Sequence, residues 1–254
     1  MKILSWNVNG IRAAQKKGFL DWLARESPDI LCVQETKAHP DQLDAALLNP
    51  PGYHVYWNAA EKKGYSGVAT FSRRKPLQVK TGFGSAPFDS EGRVLLTEFP
   101  EFALLNIYFP NGQRREDRLK FKLDFYEETL RFVESLKSQG KRVIISGDYN
   151  TAHKPIDLAH PDENEDVSGF LPVERAWLDR WIRQGQVDIF REFNPSPDQY
   201  TWWDLRTGAR ARNLGWRIDY HFITRDLVPF VQDATLLPEV MGSDHCPVGL
   251  QLKS

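Results

Sequence analysis

The chain predicts an α/β fold in which two packed β-sheets, mainly antiparallel or mixed, carry helices on their outer faces. Short apolar runs bounded by turn residues recur along most of its 254 residues. A few segments show helical spacing instead, one of them long. No Gly/Ser tract, low-complexity segment or short repeat interrupts the pattern, so one domain over residues 1–254 is the expectation. Two sheets packed face to face would bury both the strand runs and the apolar faces of the helices.

KILSWNV (Lys2–Val8) is an apolar run that ends in Asn-Gly, a strand entering a loop. Gly18–Glu26 has helical spacing through Phe19, Leu20, Trp22 and Leu23, and stops at Ser27-Pro28. DILCVQE (Asp29–Glu35) is a strand ending on an acid. Gly52–Asn58, Gly67–Arg74, Pro76–Gly82, Arg93–Phe99 and Phe102–Phe109 follow as a meander of mainly antiparallel strands. Glu91-Gly92 and Pro110-Asn111-Gly112 are among their separators. A long helix is expected over Arg114–Ser138, closed by Gly140. RVIISGDYN (Arg142–Asn150) is another buried strand with an acid at its end, and Pro172–Arg183 is a second helix. Arg217–Thr224, Ala234–Val240 and Pro247–Leu252 complete the strands.

The composition is that of a globular protein, with 41% hydrophobic residues and eight Trp, enough for a substantial core. Cys32 and Cys246 form no metal spacing and no disulfide framework, which favours a reduced compartment. The N-terminus does not read as a signal peptide, and no stretch reads as long enough to span a bilayer, so a cytoplasmic protein without membrane attachment is expected. A net charge of −1 argues against a generally basic nucleic-acid binder but permits a local basic patch. Charge is indeed uneven. Asp157–Asp166 is acidic, whereas RTGARARNLGWR (Arg206–Arg217) has four Arg and no acid.

Glu35, Asp148, Asp219 and Asp244 follow or sit in apolar runs, and Asn7, Asn111 and Asn150 occupy similar places. Hard oxygen donors without Cys suit Mg²⁺ or Mn²⁺ better than Zn²⁺. Acids in such places also cap turns or pair with Arg. Neighbouring residues in an extended chain point to opposite sides, so Asp244 and His245 are not expected to bond each other. His245 is free to pair with a more distant acid, with Asp219 in RIDYHF as the candidate. Residues two apart face the same side, so Asp148 and Asn150 can jointly hold a water and a phosphate oxygen; an Asx turn is the alternative. Gln199–Tyr220 interleaves Trp202, Trp203 and Trp216 with Arg206, Arg210, Arg212 and Arg217. That mixture fits phosphate contact with base or sugar stacking, or a core Trp cluster beside an Arg-rich loop. In GYSG (Gly64–Gly67), glycine would let backbone approach a phosphate.

Ten stretches resemble, in order, the exonuclease III family of apurinic/apyrimidinic (AP) endonucleases within the endonuclease/exonuclease/phosphatase superfamily. They are SWNVNGIRA, PDILCVQETK, KKGYSGVA, EGRV, NIYFPNG, GDYNTAH, SGFLPVERAW, YTWW, GWRIDY and GSDHCPV, and they span essentially the whole chain. The resemblance implies a four-layered α/β sandwich with its site at one edge of the sheets. It implies Mg²⁺-dependent hydrolysis (Mn²⁺ as a substitute) of the phosphodiester 5′ to an abasic site in double-stranded DNA, leaving a 3′-hydroxyl. A monomer suffices for this chemistry. By the same resemblance Glu35 is the principal metal acid, with Asn7 beside it, and Asp244 is a second acid near the metal. Asp148 activates or orients water, assisted by Asn150. Tyr108 and Asn111 contact the phosphate or leaving group. His245 binds phosphate and is oriented by Asp219. Trp202, Leu214 and Trp216 receive the base-less sugar, and Lys37, Tyr65 and Arg93 lie close by. Arg206, Arg210 and Arg212 join the substrate-contact set as the basic part of the Trp-rich segment. Some relatives carry bulkier groups near Ser168-Gly169 and favour 3′-end trimming; the small residues here are expected to leave room for continuous DNA and make the chain chiefly an endonuclease. Inositol-phosphate and sphingomyelin hydrolases share the acid and Asp-His pieces, but YTWW, GWRIDY and NIYFPNG favour the AP-endonuclease branch.

Overall fold

The computed structural model describes residues 1–113 and 116–253. Its strands are β1 (Lys2–Asn7), β2 (Ile30–Gln34), β3 (His54–Asn58), β4 (Val68–Ser72), β5 (Gln78–Thr81), β6 (Val94–Glu98), β7 (Ala103–Tyr108), β8 (Val143–Asp148), β9 (Gln186–Asp188), β10 (Asp219–Thr224), β11 (Val231–Leu236) and β12 (Val248–Leu252). The helices are α1 (Ile11–Lys16), α2 (Phe19–Glu26), α3 (Ala45–Leu48), α4 (Ala86–Asp89), α5 (Glu116–Ser138), α6 (Pro172–Arg183) and α7 (Ile189–Phe193).

Six strands form one sheet in the order β11-β12-β1-β2-β4-β3, and six form the other in the order β5-β6-β7-β8-β10-β9. Each sheet has one parallel pair near its middle, β1 with β2 and β7 with β8, and its other pairs are antiparallel. A parallel pair needs a crossover. α1 and α2 make the first, and α5 makes the second.

The two-residue period of a strand then divides each sheet's side chains between two cores. Ile3, Ile30 and Cys32 face Leu104, Ile144 and Ile223 between the sheets. On the outer face of the first sheet, Leu4, Trp6, Leu31 and Val33 pack under Ile11, Phe19 and Trp22. On the outer face of the second, Leu105, Val143 and Ile145 pack under Phe125, Tyr126, Val133, Trp177 and Trp181 of α5 and α6. The four layers expected from the motifs are therefore present.

Several expectations need correction. The meander splits between β4 and β5, which lie in different sheets, so the inter-sheet core runs between two halves of what reads as one ribbon. The strand expected over Ala234–Val240 is Val231–Leu236, and Pro238 follows its end. α1, β9 and α7 are too short to show a period and went unpredicted. The expected start of the long helix at Arg114 lies outside the described residues. Among the described residues no helix is long and apolar enough to cross a membrane.

Candidate active site

The carboxyl ends of β1 and β2 lie beside those of β7 and β8, where crevices form in sheets with parallel strands. Asn7, Glu35, Tyr108 and Asp148 stand at these ends. A cleft of about 660 Å³ opens there, lined by Glu35, Tyr108, Asp148, Asn150, Asp244 and His245 on its floor and by Trp202, Leu214 and Trp216 on one wall. Beneath it the sheets are tied by buried amides. Gln34 Nε2 donates to Asn106 Oδ1 at 2.8 Å, and Asn106 Nδ2 donates to the Ala69 carbonyl at 2.8 Å.

At the centre, Glu35, Asp148 and His245 each bring one ligand-type atom to within 4.8 Å of the others. Asn7 locks the two carboxylates together. Its Nδ2 donates to Glu35 Oε1 at 2.9 Å and to Asp148 Oδ2 at 2.8 Å, while its Oδ1 accepts the Asn9 amide at 3.0 Å. An amide turned this way presents hydrogens, not a lone pair, to the cluster. So turned, Asn7 holds the two carboxylates in place beside the expected metal position. Asn150 Oδ1 accepts from Asn111 Nδ2 at 3.1 Å, and its Nδ2 donates to the Phe109 carbonyl at 2.9 Å.

Asp148 and Asn150 are not related by extended backbone. Asn150 sits at φ 50°, and its amide donates to Asp148 Oδ1 at 2.7 Å. The Asx turn is thus the observed geometry. Asn9, Glu35 and Lys37 also have positive φ, at 48°, 52° and 50°. Left-handed backbone costs these non-glycine residues roughly 1 kcal/mol or more each, and its concentration around one cleft marks a constrained site.

The Asp-His expectation has the predicted geometry. His245 Nδ1 pairs with Asp219 Oδ2 at 2.8 Å, and the same oxygen accepts Thr201 Oγ1 at 2.6 Å. His245 Nε2 lies 3.9 Å from Asp148 Oδ2. Asp244 turns the other way, accepting from Asn9 Nδ2 at 3.0 Å and Trp202 Nε1 at 3.2 Å. It lines the cleft but is not among the three converging groups. Main-chain bonds explain why the loop sits here. Trp203 donates its amide to the Asp244 carbonyl, Cys246 donates to the Thr201 carbonyl, and Trp6 Nε1 donates to the His245 carbonyl.

Burial and neighbouring charge act in opposite senses on these groups. Burial, then the nearby Asp219 carboxylate, push Asp148 up to about 7, against the pull of His245. Burial disfavours a charged His245, but the charge and hydrogen bond of Asp219, together with the charges of Asp148 and Asp244, raise the imidazole to about 10. Burial would raise Glu35, yet Lys37 at 2.7 Å and Asn7 hold its carboxyl below the usual range. Burial and the Glu35 charge raise the Tyr108 phenol well above its ordinary value.

The remaining expected residues divide. Trp202 and Trp216 meet edge to face at 6.4 Å, pair through backbone, and line the cleft with Leu214. Lys37 and Asn111 also line it, as do Arg206 and Arg212. Arg210 does not face the cleft. Its guanidinium donates to the carbonyls of Ser243, Pro238 and Val240, so it braces the loop before Asp244 from behind. Arg93 is buried. It donates to the Tyr108 carbonyl at 2.9 Å and to the Tyr65 hydroxyl at 2.9 Å, with its guanidinium 4.6 Å from the Tyr108 ring centroid. Arg93 and Tyr65 therefore stand behind Tyr108 and do not line the cleft. Arg217 is fully buried and bonded to Asp157 and Asp188, so it belongs to the core. Sequence reasoning missed Asn9 and Thr201. The Asn-Gly turn after Val8 was the available signal for Asn9, whereas nothing local marks Thr201.

A two-carboxylate floor at the carboxyl ends of parallel strands, with an Asp-backed imidazole and an aromatic wall, defines a phosphoesterase-type centre, and residues 4–245 match the Endonuclease/Exonuclease/phosphatase family. The chain belongs to that family. Within it, the chain is 46% identical to the exodeoxyribonuclease of Bacillus subtilis over 98% of both chains. It is 42% identical to the DNA repair nuclease APEX1 of Danio rerio, covering 99% of this chain and 82% of the relative. The solved structure of an AP endonuclease from Archaeoglobus fulgidus superposes with a TM-score of 0.91 at 30% identity and complete coverage of both chains. The chain thus falls in the exodeoxyribonuclease and AP-endonuclease branch. The family is metal-dependent, and the Glu35–Asp148 pair can hold a metal ion.

Proposed function

We propose that this chain is a DNA repair nuclease that hydrolyses the phosphodiester 5′ to an abasic site in double-stranded DNA, leaves a 3′-hydroxyl, and uses Mg²⁺, with Mn²⁺ as a substitute. Exonuclease action in the 3′–5′ direction and 3′-phosphodiesterase action at the same centre belong to this reading. The observation that carries it is the convergence of Glu35, Asp148 and His245 within 4.8 Å, beneath a wall of Trp202, Leu214 and Trp216.

Glu35 and Asp148 offer hard oxygen donors, which is the chemistry Mg²⁺ takes. When bound, the metal polarises a phosphoryl oxygen and offsets its charge. Asp148 accepts a proton from the attacking water or orients it, and a pKa near neutrality suits that task. His245 is an imidazolium at neutral pH; Asp219 holds Nδ1, and Nε2 donates toward a phosphoryl oxygen as negative charge grows there. Tyr108, whose phenol keeps its proton, lines the same cleft and can donate to the phosphate or leaving group. Asn111 and Asn150 brace the phosphate side through their mutual bond. The aromatic wall accepts a sugar without a base and excludes one that carries a base. Extruding such a nucleotide breaks no base pair, which makes this selectivity inexpensive. All these groups lie on one chain of residues 1–254, so a single-domain monomer is the proposed working unit. Small Ser168 and Gly169 on the rim leave space for uninterrupted duplex, which favours internal nicking over end trimming.

A substrate panel tests the reading: duplexes with an internal abasic analogue, a 3′-phosphate, a recessed 3′ end or a uracil, and an inositol phosphate, each with Mg²⁺. The abasic duplex should be cut fastest. Preferential hydrolysis of the inositol phosphate would move the chain to the phosphatase side of the family. Faster trimming of recessed ends than nicking would reject the endonuclease preference.

A further inference from the structure

Behind the cleft, Lys122 of α5 and Glu174 of α6 form an ion pair with both side chains fully buried, their charged atoms 2.6 Å apart. Isolated charges are not retained in a core without compensation, and apolar replacements of similar size often serve stability as well. The pair's other bonds show what it connects. Lys122 Nζ also donates to the Asn150 carbonyl at 2.7 Å. Glu174 Oε1 accepts Ser168 Oγ at 2.9 Å, and Oε2 accepts the amides of Gly169 at 2.6 Å and Leu171 at 3.0 Å. The lysine therefore grips the turn that orients Asp148, and the glutamate grips the rim of the cleft.

The two gripped segments also touch each other. Ala152 donates its amide to the Gly169 carbonyl at 2.8 Å. A Cβ on Gly169 would meet the Trp216 ring at 3.1 Å and the Asn150 carbonyl at 3.3 Å. No slack thus exists between the Asp148–Asn150 turn, the Ser168–Gly169 rim and the pocket wall. We propose that Lys122 and Glu174 are positioning residues for hydrolysis: their buried ion pair sets the distance between the Asp148–Asn150 turn and the pocket rim at Ser168–Gly169. The inference rests on the nuclease reading above. A small misplacement of a water-orienting group costs turnover more than binding, because the phosphate contacts remain.

The test compares the full-length protein with Lys122→Met/Glu174→Gln, which removes both charges at similar side-chain length. Folding is checked by near-UV circular dichroism and thermal melting. Steady-state kinetics are then measured on a duplex with an internal abasic analogue, below the melting temperature of both proteins. The expected result is a fall in kcat of about 30-fold or more with KM changed less than about threefold, the signature of an interaction expressed in the transition state. A folded double variant with wild-type kcat overturns the proposal and leaves the pair a structural strut. If the double variant does not fold, Glu174→Asp decides. It keeps the charge pair but is one methylene too short to reach both Lys122 and the rim amides. A reduced kcat at unchanged KM then supports the proposal, and full kcat overturns it. Wild-type protein in the same assay separates the two ideas, since failure of wild type to cut would reject the nuclease reading itself.

Discussion

Two buried charge clusters in this protein have similar composition and opposite electrostatics. In one, Arg217 and Arg191 meet Asp157 and Asp188, two cations against two anions, with donors on both Asp157 and Asp188 at 2.6–3.1 Å. Burial alone would raise Asp157, but Arg217 and Arg191 outweigh it and hold the carboxyl at about 2. In the other, Glu35, Asp148, Asp219 and Asp244 share Lys37 and His245, and Asp148 is pushed up to about 7. Asp219 Oδ1 has no bonding partner there. A cluster that only holds the fold balances its charges. The cleft cluster keeps negative charge in excess, which is what a cation and an incoming water require. The contrast separates structure from chemistry more clearly than burial does, because Asp148 and Asp157 are equally buried.

The contrast can be broken at its strongest point by exchanging one charged group from each cluster. Asp148→Asn should lower kcat on an abasic duplex by about 10³-fold or more while duplex affinity, read by fluorescence anisotropy, changes little. If affinity is lost in parallel, Asp148 is holding substrate or fold and the chemical assignment fails. Arg217→Met should do the reverse. It leaves Asp157 and Asp188 without their shared buried cation, at a cost of about 3–5 kcal/mol in urea unfolding. Activity per folded molecule should stay within a few-fold of wild type. A large loss of kcat with unchanged stability would place Arg217 in the reaction.

The pH dependence of stability should also have opposite signs in the two clusters. Asp157 has a depressed pKa in the folded state, so its contribution is present above about 4 and is lost as pH falls toward 2. Asp148 has a raised pKa, so its contribution is present below about 4 and is lost as pH rises through 7. In EDTA at pH 8, Asp148→Asn should therefore melt a few degrees above wild type, whereas Asp157→Asn should melt below it. Equal shifts of the same sign would remove the distinction. The smallest effect is expected at Arg206. Its side chain is 93% exposed and its nearest carboxylate, on Asp204, is 3.6 Å away. Arg206→Ala should raise KM by about twofold to fivefold, weaken the salt dependence of duplex binding, and leave kcat unchanged.

What the sequence could reveal about these clusters follows from how local each one is. The cleft acids were legible because Glu35 and Asp148 end apolar runs, and ends of parallel strands gather at one edge. The Asp244–His245 divergence was expected from the alternation of adjacent side chains; it is present, but Asp244 lies in a bend and His245 in an isolated bridge to Trp202, so the loop and not a pleat produces it. The balanced cluster was not. Asp157 lies in a stretch that reads as acidic and Arg217 in one that reads as basic, yet the fold brings them together in the core. The placements of Arg210 and Arg93 were hidden for the same reason: an arginine's reach is set by distant carbonyls that no local pattern displays. The direction of the Asn7 amide and the left-handed turn at Asn150 are likewise outcomes of packing. The split of the strand ribbon between two sheets escaped because a turn and a sheet-to-sheet crossing look alike in one dimension.

We propose that the negatively charged excess at Glu35 and Asp148 forms a metal-dependent phosphodiesterase centre for abasic DNA. Its most direct test is single-turnover cleavage of an end-labelled duplex with one abasic analogue, run with Mg²⁺ and with EDTA, and with product ends mapped. The account predicts one cut, immediately 5′ to the analogue, leaving a 3′-hydroxyl, restored by Mg²⁺ after chelation and absent in EDTA. A cut on the 3′ side, or cleavage at the same rate in EDTA, would contradict it.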